Sequence, residues 1–258
     1  MTLLRVETLS KQFGGIAAVD GLSFAVEAGT IHSIIGPNGA GKTTVLNLIT
    51  GVYTPSRGAI HLDGATVTGK PPYELAACGL SRTFQNLQIY TSMTALENVM
   101  VGRHLRLDRR FLPSLLRFPS VVRRDDAARE RCVALMEFVG CGRYIDSDAA
   151  SLPYGALKRL EIARALATEP KLLLLDEPAA GLNATESRDV DTVIKKIAAQ
   201  GITVILVEHD MKMVMGISDR ILVLNYGRKL TEGTPDEIAA HPDVISAYLG
   251  AAQEGAAA

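Results

Sequence analysis

The stretch Thr30–Gly51, "TIHSIIGPNGAGKTTVLNLITG", decides the fold. Thr30 to Ile35 are rich in β-branched residues, the composition of a strand. Gly36 to Thr44, "GPNGAGKTT", then satisfies G-x-x-x-x-G-K-[ST]. Val45, Leu46 and Ile49 follow at helical spacing, and Gly51 is placed to stop the helix. Strand, glycine loop and helix in that order form a phosphate-binding unit. The glycines let successive backbone N–H groups turn inward as a nest for anionic oxygens, and the helix adds the positive end of its dipole. The loop comprises Gly36, Pro37, Asn38, Gly39, Ala40, Gly41, Lys42, Thr43 and Thr44. Lys42 is expected to reach the β- and γ-phosphates, and Thr43 to offer its hydroxyl to Mg²⁺.

The bulk of the chain suits an intracellular phosphate binder. Its 258 residues are enough for one large α/β domain with an inserted lobe. Hydrophobic residues make up 47%, which argues for a sizeable core. With 27 basic and 28 acidic residues the net charge is −1, so no nucleic-acid surface is expected. Cys78, Cys132 and Cys141 include no CxxC pair and read as free thiols in a reducing compartment. The start, "MTLLRVETLS", lacks the features of a signal peptide. The apolar runs Leu172–Leu175 and Ile202–Val207 are far shorter than the ~20 residues of a membrane span and have the length of buried strands.

The expected fold is a RecA-like P-loop α/β core with a parallel sheet, an N-terminal antiparallel β subdomain and an inserted α-helical lobe. "LLRVETLS", "LSFAVEAGT" and "GAIHLDG" alternate like short strands ending in turn residues. In "ARERCVALMEFVG", Cys132, Leu135, Met136 and Val139 form one helical stripe. "RRFLPSLLRFPSVVRRDD" reads equally as a lobe surface, a docking segment or a solvated linker. "KLLLLDEP" and "ITVILVEHD" read as strands; "TESRDVDTVIKKIAAQG" and "MKMVMGIS" read as helices. Such alternation implies a parallel sheet covered on both faces. One domain is expected over 1–258, with the core at 1–86 and 159–250, the lobe at 87–158 and a frayed tail at 251–258.

Beyond the loop, the acids matter most. Asp176 ends an apolar strand and is placed to hold Mg²⁺, and Glu177 is placed to polarise an attacking water. His209 lies just past another strand, and Gln85 lies at the border of core and lobe. Either alone means little; with the acidic pair they become candidates to sense the γ-phosphate and its Mg²⁺.

"LPYGALKRLEIARALATEPKLLLLDEP" joins a glycine turn, a basic amphipathic helix and the acidic strand. It resembles the ATP-binding subunit of ABC transporters, over almost the whole chain. "GLSRTFQNLQIYTSMTALENVMVGRH" and "GTPDEIAAHPDVISAYLG" look like the larger ATPase subunit of branched-chain amino acid importers. The resemblance implies two ATP molecules sandwiched head to tail between two subunits. It places Phe13 against adenine, where an ordinary core aromatic is the other reading, and adds Asp176, Gln85 and Thr43 at Mg²⁺. It makes Glu177, His209 and Gln85 catalytic, 180–183 the D-loop, and Leu152–Ala156, with Tyr154 and Gly155, the turn lent to the partner's ATP. The cofactors implied are ATP and Mg²⁺. The partners implied are a second ABC ATPase subunit, transmembrane permease subunits and, indirectly, an external substrate-binding protein. The location implied is the cytoplasmic face of the plasma membrane.

The sequence departs from the family where it serves its partner. The usual LSGGQ reads LPYGA, so Pro153 lacks the serine hydroxyl and Ala156 the glutamine amide; the D-loop ends in Asn183 where most members have Asp. The half-site on Lys42, Asp176 and Glu177 is complete, so an asymmetric heterodimer is expected, with a homodimer open to the isolated chain. A DNA- or ribosome-acting ABC ATPase is the competing class, but long heptads and zinc cysteines are absent from the sequence. Lipopolysaccharide export and urea or amide import are the competing cargoes.

Overall fold

The computed structural model describes residues 1–105 and 119–246. The chain folds as two compact units. The first comprises 1–82, 171–177 and 194–258; the second comprises 83–170 and 178–193. The helical unit thus reaches past the expected 87–158, because the helix that follows Pro153 packs against other helices of that unit.

The first unit contains two sheets. In one, strands β1 (Thr2–Phe13), β2 (Ile16–Glu27), β4 (Arg57–Leu62) and β5 (Ala65–Thr66) run antiparallel in the order β2-β1-β4-β5. The strand expected to end at Ser10 continues to Phe13. A left-handed residue at Thr8 and register shifts along the β1–β2 pair absorb the irregularity.

The other sheet has six strands: β3 (Ile31–Ile35), β6 (Leu80–Arg82), β7 (Leu172–Asp176), β8 (Thr203–Val207), β9 (Arg220–Asn225) and β10 (Arg228–Gly233). Their order is β10-β9-β3-β8-β7-β6, parallel except for the β9–β10 hairpin. Every residue of β3, β7 and β8 is buried, which explains the apolar runs of β7 and β8. Along β3 and β9 alternate residues enter two cores. Ile34, Leu222 and Leu224 join Leu4, Val26 and Leu46. Ile35, Ile221 and Val223 join Val214 and Ile238. The first core is shared with helix α1 (Lys42–Ile49); the second lies under α7 (Met211–Ile217) and α8 (Pro235–Ala239). Helix α2 (Pro72–Ala77) leads into β6.

The second unit is helical, with α3 (Ala95–Val101), α4 (Pro119–Phe138), α5 (Tyr154–Leu166) and the start of α6 (Ala184–Ala199). Among its described residues no strand forms, apart from one bridge between Thr94 and Asp148. Cys132, Leu135, Met136 and Val139 are all buried, as their spacing predicts. Thr94 and Glu97 form a reciprocal capping box at the start of α3. The Arg- and Pro-rich segment lies largely outside the described residues, as does the alanine-rich tail.

Candidate functional site

Strands β3, β8 and β7 are neighbours and parallel, so their C-terminal ends open on one edge of the sheet. Open α/β sheets bind ligands along such an edge. The glycine loop follows β3, Asp176 ends β7, and His209 lies just beyond β8.

The loop is shaped by close backbone approaches. Gly41 is the N-cap of α1 with φ 97°, and a Cβ there would lie 2.6 Å from the Ala18 carbonyl oxygen. At Gly36 a Cβ would collide with the Leu224 carbonyl oxygen. The loop is also braced from outside: the Gly227 N–H donates to Ala40 O at 3.0 Å, and the Asp20 N–H to Gly227 O at 2.9 Å. At the start of α1 no side chain caps the helix and its first turn holds no acid. The first-turn N–H groups and the positive helix end are thus offered to an external anion. Lys42 is buried and curls over the loop, its Nζ donating to Gly36 O at 2.7 Å and to Pro37 O at 3.1 Å. Burial lowers its pKa from the ordinary lysine value, while the Glu177 and Asp176 carboxylates oppose that shift. The desolvated charge therefore lies beside both acids.

Asp176 is buried and its Oδ2 accepts from Arg82 Nη2 at 2.7 Å. Glu177 has φ 49°, left-handed for a residue with a Cβ, and its N–H donates to Val207 O at 2.9 Å. Its Oε1 lies 2.9 Å from His209 Nε2. His209 is half exposed, while Glu177 is mostly enclosed. Thr43, the second residue of α1, is exposed. Hydroxyl and carboxylate oxygens are the donors a hard cation such as Mg²⁺ prefers. Among the described residues no cluster of three or more His, Cys, Asp or Glu could hold a metal. Such a donor set fits a cation carried in with phosphate oxygens.

Phe13 ends β1 and is 43% exposed, so it is not a core residue. Its ring meets Tyr53 edge-on, with centroids 5.1 Å apart, and Lys11 Nζ lies 5.1 Å from its centroid. Sequence reading overlooked Tyr53 and Lys11. The GVYTP turn after the loop helix was the available signal.

In the helical unit, Gln85 is exposed on a loop held by α5. Lys158 Nζ donates to Gln85 O at 3.3 Å, and the Phe84 N–H to Glu161 Oε1 at 3.4 Å. Arg164 reaches Gln88 O. These three residues of α5 are spaced i, i+3, i+6 and share one face. Burial raises the Glu161 pKa, while N–H donors from Phe84 and Gln88 and the Arg164 and Lys158 charges pull it down.

The turn Leu152–Ala156, which the resemblance makes the family's signature, opens α5, with Pro153 as N-cap. Tyr154 is half exposed and its ring covers Gly181, where a Cβ would lie 3.1 Å from Cε1. Gly155 abuts Glu186: a Cβ there would lie 2.5 Å from Oε1. Asn183 accepts from the N–H groups of Thr185 and Glu186 at 2.9 and 3.0 Å, and so caps α6. Asn and Asp cap equally well. The departure at Asn183 therefore preserves the helix start.

The family model described as ABC transporter matches residues 19–180, and that of the branched-chain amino acid ATP-binding cassette transporter matches 228–254. The chain is 46% identical to the high-affinity branched-chain amino acid transport ATP-binding protein BraF of Pseudomonas aeruginosa, over 97% of this chain and 98% of that protein. It is 44% identical to the protein LivG of the same description from Escherichia coli, with the same coverage. The crystal structure of the ADP conformation of MJ1267, an ATP-binding cassette of an ABC transporter, superposes with a TM-score of 0.85 at 33% identity, covering 97% of this chain and 99% of that one.

Proposed function

The chain belongs to the ABC transporter family as an ATP-binding subunit, and from that premise we propose that it powers import of branched-chain amino acids through permease subunits in the membrane. It is an ATPase. One observation supports the catalytic reading above all: the phosphate loop, Asp176 and the Glu177–His209 pair occupy the same edge of one parallel sheet.

In this reading, the N–H groups of the loop and of α1 bind the phosphates, and Lys42 neutralises the distal ones. Thr43 and Asp176 would hold Mg²⁺. When bound, Mg²⁺ would supply charge neutralisation to the phosphates. Glu177 accepts a proton from the attacking water, and His209 holds its carboxylate in place. Phe13 stacks on the adenine.

The second ATPase subunit follows from the signature turn. Gly155 offers its backbone to the partner's nucleotide, but Pro153 brings no hydroxyl. The partner is therefore a different subunit with a fuller signature, and the ATP on this chain's loop is the one hydrolysed. No described helix is long and apolar enough to cross a membrane.

The test is reconstitution of this chain with its co-purifying membrane subunits in vesicles. ATP-dependent uptake of labelled leucine that is lost in Glu177→Gln is expected. ATP-driven movement of urea, and none of leucine, would replace the cargo and leave the ATPase reading intact.

A further inference from the structure

Arg82 is the last residue of β6, level with Leu174 on β7, and Asp176 lies two residues further along that strand. Successive side chains alternate faces, so Arg82 and Asp176 form a diagonal pair on the same face. Both side chains are almost fully buried, at 6% and 4% exposure. Arg82 Nη2 donates to Asp176 Oδ2 at 2.7 Å. Its Nη1 donates to Asn47 Oδ1 at 2.6 Å and Thr50 Oγ1 at 3.3 Å. Asn47 lies on the helix that follows the phosphate loop and Thr50, at i+3, is its C-cap, so they share a face. Thr50 Oγ1 in turn donates to Leu46 O at 2.8 Å. One planar guanidinium thus ties the phosphate-loop helix to the carboxylate at the end of β7.

We propose that Arg82 is a positioning residue that sets the orientation of the Asp176 carboxylate toward Mg²⁺, using Asn47 as its anchor on the loop helix. This rests on the reading of Asp176 as a Mg²⁺ partner. A buried carboxylate with one oxygen held by a rigid fork cannot rotate freely, so the direction in which it meets a cation is fixed before the nucleotide arrives. Lysine would keep the charge and lose the fork, because an ammonium on a flexible stem cannot grip Asp176 and Asn47 in one plane. Outer partners that orient metal-holding carboxylates are typically worth ~10–100-fold in metal affinity.

The experiment measures binding of a fluorescent ADP analogue to the full chain, first in EDTA and then across a Mg²⁺ titration. Arg82→Lys is expected to need about ten-fold more Mg²⁺ for half-maximal enhancement, with unchanged affinity in EDTA. Asn47→Ala, which keeps the ion pair, is expected to shift the same way by a smaller factor. A folded Arg82→Lys with the wild-type Mg²⁺ midpoint overturns the proposal, and so does an equal loss of affinity with and without Mg²⁺. If Arg82→Lys fails to fold by circular dichroism, Asn47→Ala decides on the same readout. Asp176→Asn separates the two levels. A shifted midpoint there beside an unshifted Arg82→Lys sinks only the role of Arg82. An unshifted Asp176→Asn removes the Mg²⁺ reading and this proposal with it.

Discussion

His209 Nε2 lies 2.9 Å from Glu177 Oε1, and Glu177 carries this contact from a left-handed backbone at φ 49°. The backbone aims the carboxylate, and the imidazole holds it. Such unfavourable conformations persist where the surroundings enforce them.

Replacing the carboxylate removes the base and keeps the shape. Glu177→Gln is expected to lower kcat by ~10²–10⁴ with ATP affinity retained. His209→Ala removes only the holder, so its kcat should fall less. Steady-state ATPase assays beside equilibrium nucleotide binding measure both. Near-normal turnover in Glu177→Gln would take the base assignment away.

The backbone at Glu177 has its own signature in stability. A left-handed residue with a Cβ costs roughly 1–2 kcal/mol. Glu177→Gly removes that cost and Glu177→Ala keeps it. Gly gives back part of the gain through the entropy of its unfolded chain. The glycine variant should therefore unfold about 1 kcal/mol later than the alanine variant, a Tm difference of roughly 2–4 °C for a chain of this size. Both should be inactive. An alanine variant as stable as the glycine variant would show that no strain is stored there.

The adenine platform separates binding from stability. Phe13 is half exposed at the end of a strand, so Phe13→Ala should leave Tm almost unchanged. Base stacking on an aromatic ring is worth about 1–3 kcal/mol. ATP affinity should then drop by roughly 5- to 150-fold, with much less effect on inorganic triphosphate. Isothermal titration with both ligands checks this, and an equal loss for both would rule out stacking.

The elements legible in the sequence were those with one dominant signal. β7 and β8 are short strands dominated by an apolar run, β3 runs straight into the glycine loop, all three are fully buried, and the phosphate loop has its own spacing. β6 was missed because its three residues, LSR, show no alternation. α3 was missed although Thr94-x-x-Glu97 is a capping-box pattern that could have found it. The acids were legible as residues, while their partners were not. Arg82 lies 94 positions from Asp176, and only the parallel pairing of β6 with β7 brings them together. Bracing of the loop by Gly227 is of the same kind. Asn183 was read as a weakened D-loop, and its structural work as a helix cap lies in its own hydrogen bonds.

A last consequence comes from His32, in the middle of β3. It is buried, its ring lies 5.8 Å from that of Phe24, and its Nε2 has no hydrogen-bond partner. Desolvation pushes its pKa down from 6.5 to about 4; Glu232 opposes the shift, and Arg220 and Lys229 add to it. The depressed value means that between those limits the unfolded chain binds a proton which the folded chain refuses. Stability from this residue is therefore complete above about pH 6.5 and is lost as pH falls toward 4. The loss is on the order of 3 kcal/mol. Glu161 acts in the opposite direction, because its raised pKa favours proton uptake by the folded chain as pH falls. The raw pH profile mixes the two, so the variant difference is the measurement. In urea unfolding between pH 7 and 4.5, His32→Leu should lose less stability than the wild type, and the gap should widen steadily below pH 6.5. Parallel curves for the two proteins would mean that His32 takes up its proton in the folded state without penalty.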